Sequence, residues 1–267
     1  MEEKKYYIYG GFGLAIILLI ITLFSFFSVP KYSSNSTVGG LTVINGKVEK
    51  KTYPKPDIVF ISDNSEEKDH YIKLKFIKPS NLPSAVQSII DSDFEREKSK
   101  ASESIRIENS QPEIYQSDEY VSIVTVFSKY NVSKLIKKSS FCWTYSQETK
   151  NIVSLPQTLE SENKNNEVYT YLVSVFKPQI ARKTFELLKE INIGGSIENV
   201  EKKVADKLLP KAENFSTWYL DANQLFLIFD PDYFMYDDES SNFEEQKISV
   251  NFLASKTYLK THSNSNK

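Results

Sequence analysis

The densest chemistry in the sequence lies near the C-terminus, where Asp230, Asp232, Asp237, Asp238 and Glu239 are interleaved with Tyr233, Phe234 and Tyr236. Carboxylates this close together can ligate a hard cation such as calcium through oxygen, although their spacing is not that of an EF-hand loop. Asp230 and Asp232 are also the pair that a hydrolase of envelope polymers would use as acid and base. Aromatic rings set among acids equally suit contact with a basic partner or a glycan. A solvated loop, a partner contact and a metal site therefore stay open at this segment. No residue is assigned to catalysis, a metal or a cofactor, and Tyr233, Phe234, Tyr236, Asp237 and Asp238 form the candidate binding loop.

A second candidate is basic. Lys134, Lys137 and Lys138 lie in a segment that reads as a small loop between strands, either a solvated surface or a contact for an acidic partner. Histidine supplies much of the acid–base and metal chemistry near neutral pH, and only His70 and His262 are present. His70 opens a strand and His262 lies in the polar end THSNSNK, expected as a disordered tail over 261–267. Neither stands in a recognisable triad with a serine elbow or with Cys142. A lone cysteine can form no disulfide within the chain and reads as a small core residue.

The elements that position these residues begin with an anchor. From Tyr6 to Val29 the chain carries no charge and is long enough to span about 30 Å of hydrocarbon as a helix. Lys4 and Lys5 precede it, Tyr6, Tyr7 and Tyr9 suit its headgroup end, and no signal-peptidase site follows. The expected topology is single-pass in the cell membrane: residues 1–5 inside, residues 6–29 in the lipid bilayer, and the C-terminal domain outside. Residues 30–67 read as tether and stalk, opening with KYSSNSTVGG, and the folded domain as 68–260.

Within that domain YIKLKF alternates as a half-buried strand, and Ser84 and Gln87 are spaced for a capping box behind Pro83. Leu82, Val86, Ile89, Ile90 and Phe94 share one face of the helix that follows. SIRI, YVSIVTVF and FCWTY read as a meander. Helical spacing returns from Val168, is interrupted at Pro178, and continues to Ile191, with a further helix over Ile197, Val200, Val204 and Leu208. FSTWYL, a turn at Asp221-Ala222-Asn223, QLFLIF, an acidic loop and ISVNFL end the domain. Strand runs separated from helix runs predict an α+β fold, an antiparallel sheet with helices packed on it behind a single N-terminal transmembrane helix.

Two turn patterns carry a resemblance. Gln147 to Leu155 resembles a meander turn of the type D-x-x-T-G-K followed by leucine, without its glycine. Phe215 to Pro231 resembles a hairpin of the type F-x-L-x-x-D-G-L-x-F-x-F-x-P, with Asp221-Ala222-Asn223 at the turn. On these and the order of elements, the stretch from His70 to Lys260 resembles the extracytoplasmic domain of the RsiV-type anti-sigma factor, a lysozyme receptor, and the N-terminal domain of PdaC-type peptidoglycan deacetylases. It departs at Tyr130–Lys138, where the family often has Gly-Gly-Ala-His, and at Phe234–Glu239, where it often has Ala-Pro-Tyr-Ala-Ala-Gly. The resemblance implies a membrane-anchored binding or sensor module of the bacterial cell envelope, not an enzyme, with an envelope protein or glycan as ligand. An envelope-polymer hydrolase and a structural subunit of a membrane complex are the alternatives. A formal net charge of -2 gives no field to draw in nucleic acid, which is not an expected partner.

Overall fold

The computed structural model describes residues 37–38, 41–44, 47–50, 53–66, 73–102, 104–131, 134–159, 165–192, 194–236 and 243–263. The expected membrane span and His70 lie outside them, and among the described residues no helix is long and apolar enough to cross a membrane. Two compact units divide at Lys51 and Thr52. In the first, β1 (Thr37–Val38), β2 (Leu41–Ile44) and β3 (Lys47–Lys50) pair antiparallel where a tether and stalk were expected.

The second unit is α+β. Its larger sheet starts before residue 68, because β4 (Val59–Glu66) pairs along its length with β5 (Lys73–Ser80), from Val59 opposite Ser80 to Glu66 opposite Lys73. Helix α1 (Ser84–Lys98) then crosses over, so that β6 (Ile105–Asn109) runs parallel to β5, as such a crossover permits. That parallel step replaces the simple meander read from the sequence. The long β8 (Tyr120–Asn131) takes β6 and β7 (Glu113–Gln116) along one edge and β9 (Lys134–Ser146) along the other.

The period of α1 explains how it docks. Val86, Ile90 and Phe94, four apart, are buried against Phe76, Ile107, Ile123, Phe127 and Trp143, whereas Ile89 falls off the stripe and is exposed. The ring of Phe94 meets Phe127 edge-on at 5.1 Å and stacks on Trp143 at 6.1 Å. No capping box forms, because Pro83 occupies the cap position and Gln87 donates instead to the Pro79 carbonyl and to Asp91.

Alternation along β8 sends Val121, Ile123 and Phe127 to α1 and turns Ser122 and Val124 to the opposite face. Against that face lies a second antiparallel sheet, β10 (Trp218–Asp221), β11 (Gln224–Phe229) and β12 (Gln246–Asn251), whose Tyr219 and Ile228 pack with Val124. Leu220, Leu225, Leu227 and Phe229 point the other way, into a core with the helices α2 (Leu155–Thr158), α3 (Asn165–Glu190) and α4 (Ile197–Lys207). Leu225 to Phe229 is therefore an unbroken apolar run because both of its faces are covered.

Three expectations fail here. Pro178 does not interrupt the helix: α3 runs from Asn165 to Glu190 through it. The acidic loop is in part helical, with α5 spanning Pro231–Met235. After β12 the chain forms α6 (Phe252–Ser263), which takes the positions read as the end of a strand and carries helix past residue 260, through His262.

Candidate binding cleft

Lys134, Lys137 and Lys138 are not in a loop but on β9, an edge strand, and the part of that edge near Lys137 is the floor of a cleft of about 670 Å³. Hydrogen bonds fix which backbone groups face outward. The Val153 amide donates to the Thr144 carbonyl at 2.9 Å, the Ser146 amide to the Asn151 carbonyl at 3.0 Å, and the Ser140 amide to Oε2 of Glu245 at 2.8 Å. All are at even positions, so the period of the strand turns the N–H and C=O groups of Lys138 and Cys142 outward as well.

One wall of the cleft belongs to α1. Phe141 and Trp143 direct their rings to it, and the Trp143 indole Nε1 donates to Oδ2 of Asp93 at 2.7 Å. The Arg96 guanidinium holds the other oxygen of Asp93 at 2.9 Å and lies 5.9 Å from the Phe141 ring centre. The opposite wall combines Glu213 to Thr217, Ile228 to Asp230, and α5. Asp230 accepts from the Asp232 amide as the cap of α5 and faces Lys137 Nζ at 3.9 Å.

Helix α5 is held from behind. Lys207 of α4 donates to the carbonyls of Tyr233 and Tyr236 at 2.9 and 3.0 Å, and Lys203 donates to that of Met235 at 3.1 Å. Cations at the end of a short helix satisfy carbonyls that have no partner inside it. Asp232 is buried, and its Oδ2 accepts from the Phe243 amide at 3.1 Å. The two carboxylates that a hydrolase would pair are thus each bonded to a backbone amide.

The sequence-derived residues separate accordingly. Tyr233 is exposed and lines the cleft, as does Lys137. Phe234 reaches the cleft wall but is 4% exposed and packs 6.2 Å from Phe229, so it is core rather than contact surface. Lys138 pairs with Glu244 and borders an adjoining cavity of about 310 Å³. Lys134 and Tyr236 line neither cavity, and Asp237 and Asp238 lie outside the described residues. Sequence reasoning missed Asp93, Arg96, Trp143 and Glu245. FCWTY already marked Trp143 as belonging to a strand, but nothing local couples it to a helix 50 residues earlier.

Burial sets the electrostatics. It raises the Glu245 carboxyl above its ordinary pKa, an effect that the Ser140 hydrogen bond only offsets. It also pushes the Cys142 thiol well above the usual range, reinforced by Glu245, which leaves the sulfur a weak nucleophile. Among the described residues no group of His, Cys, Asp and Glu is placed to hold a metal ion.

No family model and no curated protein matches the chain. Among solved structures it is similar to a DUF3298 family protein from Pseudomonas aeruginosa, with a TM-score of 0.47 and 10% identity over 75% of this chain and 92% of that one. A DUF3298 member from Bacteroides fragilis gives a TM-score of 0.41 and 9% identity over 74% and 91% of the two chains.

Proposed function

We propose that the chain is a non-catalytic binding or sensor module of the bacterial cell envelope, anchored through residues 6–29 with its folded unit outside, and that the cleft over β9 receives its ligand. The observation that carries this reading is that the cleft's polar groups are already tied to one another and to the backbone. Asp93 receives Trp143 and Arg96, Asp230 caps α5, and Glu245 holds the Ser140 amide. Carboxylates bound in this way fix the walls of a site, whereas a hydrolase needs two that flank a reacting bond. The uncharged run from Tyr6 to Val29 and the resemblance of two turns to RsiV-type and PdaC-type extracytoplasmic domains support the placement.

Titration of the purified full-length chain with peptidoglycan fragments, lysozyme and envelope proteins tests the reading. One of them is expected to bind saturably and to slow amide exchange over Ser139–Trp143. Failure of all three to bind defeats it. Protease added to intact cells is expected to digest the folded unit, and full protection of that unit overturns the topology.

A further inference from the structure

Resting on the reading of the β9 cleft as the ligand site, we infer that the ligand enters as an extended polypeptide strand, pairing through its backbone with the outward edge of β9 between Lys138 and Cys142 and directing a basic side chain toward Glu213.

The backbone argument comes first. Of the outward groups on β9, the Thr144 carbonyl is taken by Val153, and the Ser146 amide and carbonyl by Asn151 and Lys150. Those of Lys138 and Cys142, and the carbonyl of Ser140, have no partner among the described residues. A row of open donors and acceptors at strand spacing matches the main chain of another extended segment and no other common ligand, which is how sheet edges recruit peptides. The walls fit that occupant: α1 with Trp143 on one side and the second sheet with Tyr233 on the other leave a trough along the edge, within the roughly 300–1,000 Å³ typical of ligand sites.

Charge supplies the second argument. Asp93, Glu213, Asp230 and Glu245 line the cleft against Arg96 and Lys137. Asp93 pairs with Arg96, Asp230 with Lys137, and Glu245 holds the Ser140 amide, so the acid left to meet a ligand is Glu213. A lysine or arginine on the incoming strand complements it. Glu245 has a further part. Its carboxylate sits at the Ser140 amide in the place of a strand carbonyl, and so guards the edge until a ligand carbonyl displaces it.

The test uses the full-length chain and a displayed library of random linear ten-residue peptides, with recovered peptides made synthetically. Recovered peptides are expected to carry a basic residue and to slow amide exchange at Lys138 and Cys142. Methylation of single peptide nitrogens is expected to weaken binding about tenfold at alternate positions and less than about twofold between them, as loss of one hydrogen bond in every second residue requires. Glu245→Ala frees the Ser140 amide and tightens binding several-fold, with Glu245→Leu, which also lacks an acceptor and keeps the volume, as the variant to read if the alanine chain melts early. Recovery of no peptide, or methylation effects without alternation, overturns the inference. So does a Glu245→Ala chain that pairs with a second copy of itself and not with peptide. If a glycan fragment or folded protein protects Ser139–Trp143 while peptides do not, the inference fails and the cleft remains the ligand site. If ligands bind without touching β9, both fail.

Discussion

The Ser122 hydroxyl accepts from the Leu220 amide at 3.0 Å, a buried bond between the larger sheet and the smaller one of the second unit. The same oxygen lies 2.8 Å from Oγ1 of Thr144 across the β8–β9 ladder. Ser122 and Thr144 are fully or almost fully buried, and apolar packing of Tyr219, Ile228 and Val124 surrounds the tie, so water cannot replace a lost partner.

Ser122→Ala removes one oxygen and leaves the Leu220 N–H and the Thr144 hydroxyl short of a partner in the core. The expected loss is about 1–3 kcal/mol, the cost of a buried polar group left unmatched. Urea unfolding reads it as a lower midpoint at unchanged slope. Loss within about 0.3 kcal/mol of zero shows that the two sheets are not joined through this atom.

Two turns hold side chains where glycine is the easier residue. Ala222, between β10 and β11, has φ 48°, and Lys150, after Thr149 in the turn that follows β9, has φ 57°. A left-handed backbone costs an L-residue roughly 1–2 kcal/mol, partly offset by the greater freedom of glycine in the unfolded chain. Ala222→Gly and Lys150→Gly are each expected to stabilise by about 0.5–1 kcal/mol, seen as higher melting temperatures. These are the places where the patterns of the sequence-level resemblance carry glycine, so the turn geometry is present here without the residue that signals it.

How far the sequence foretells the structure depends on whether the signal is local. Val86, Ile90 and Phe94 announce their helix because one face is buried, and Val200 and Val204 do the same for α4. Ser154 and Gln157 form the capping box that Ser84 and Gln87 do not, a pattern just as readable, although Pro156 between them masks it as a turn. Lys134 to Lys138 read as a loop because a strand that leaves the core has no apolar side to alternate. The cleft was illegible for a different reason. Trp143, Asp93 and Glu245 come from β9, α1 and the residue before β12, and only the stacking of layers brings them together.

Pro178 shows tertiary packing overriding a local rule. Its exposed ring lies in α3 between Leu172 and Phe176 on one side and Ile180, Ala181 and Leu188 on the other, all buried in one core. A proline inside a helix costs about 3 kcal/mol, and each large buried side chain returns about 1.5–3 kcal/mol. Two such residues on the far side, Ile180 and Leu188, match or outweigh the break. Pro178→Ala restores an amide to the Ser174 carbonyl and is expected to stabilise by about 1–3 kcal/mol. A lower melting temperature would mean that the restriction proline places on the unfolded chain outweighs the missing hydrogen bond.

Glu245 makes the cleft sensitive to pH in a direction that its burial fixes. Its folded-state pKa lies above the ordinary 4.5, first because burial penalises the charge. A carboxyl raised on folding contributes stability that is fully present below its unfolded value and is lost as pH rises through the folded one. From pH 4.5 upward, ionisation of Glu245 therefore works against folding while strengthening its hold on the Ser140 amide. Glu245→Gln keeps an acceptor for that amide and removes the titration. The difference in unfolding midpoint between wild type and Glu245→Gln is expected to be smallest near pH 4 and to move in favour of the variant as pH rises toward 7. A difference that is flat with pH places Glu245 in contact with solvent, and a difference that moves the other way means that the Ser140 hydrogen bond outweighs burial.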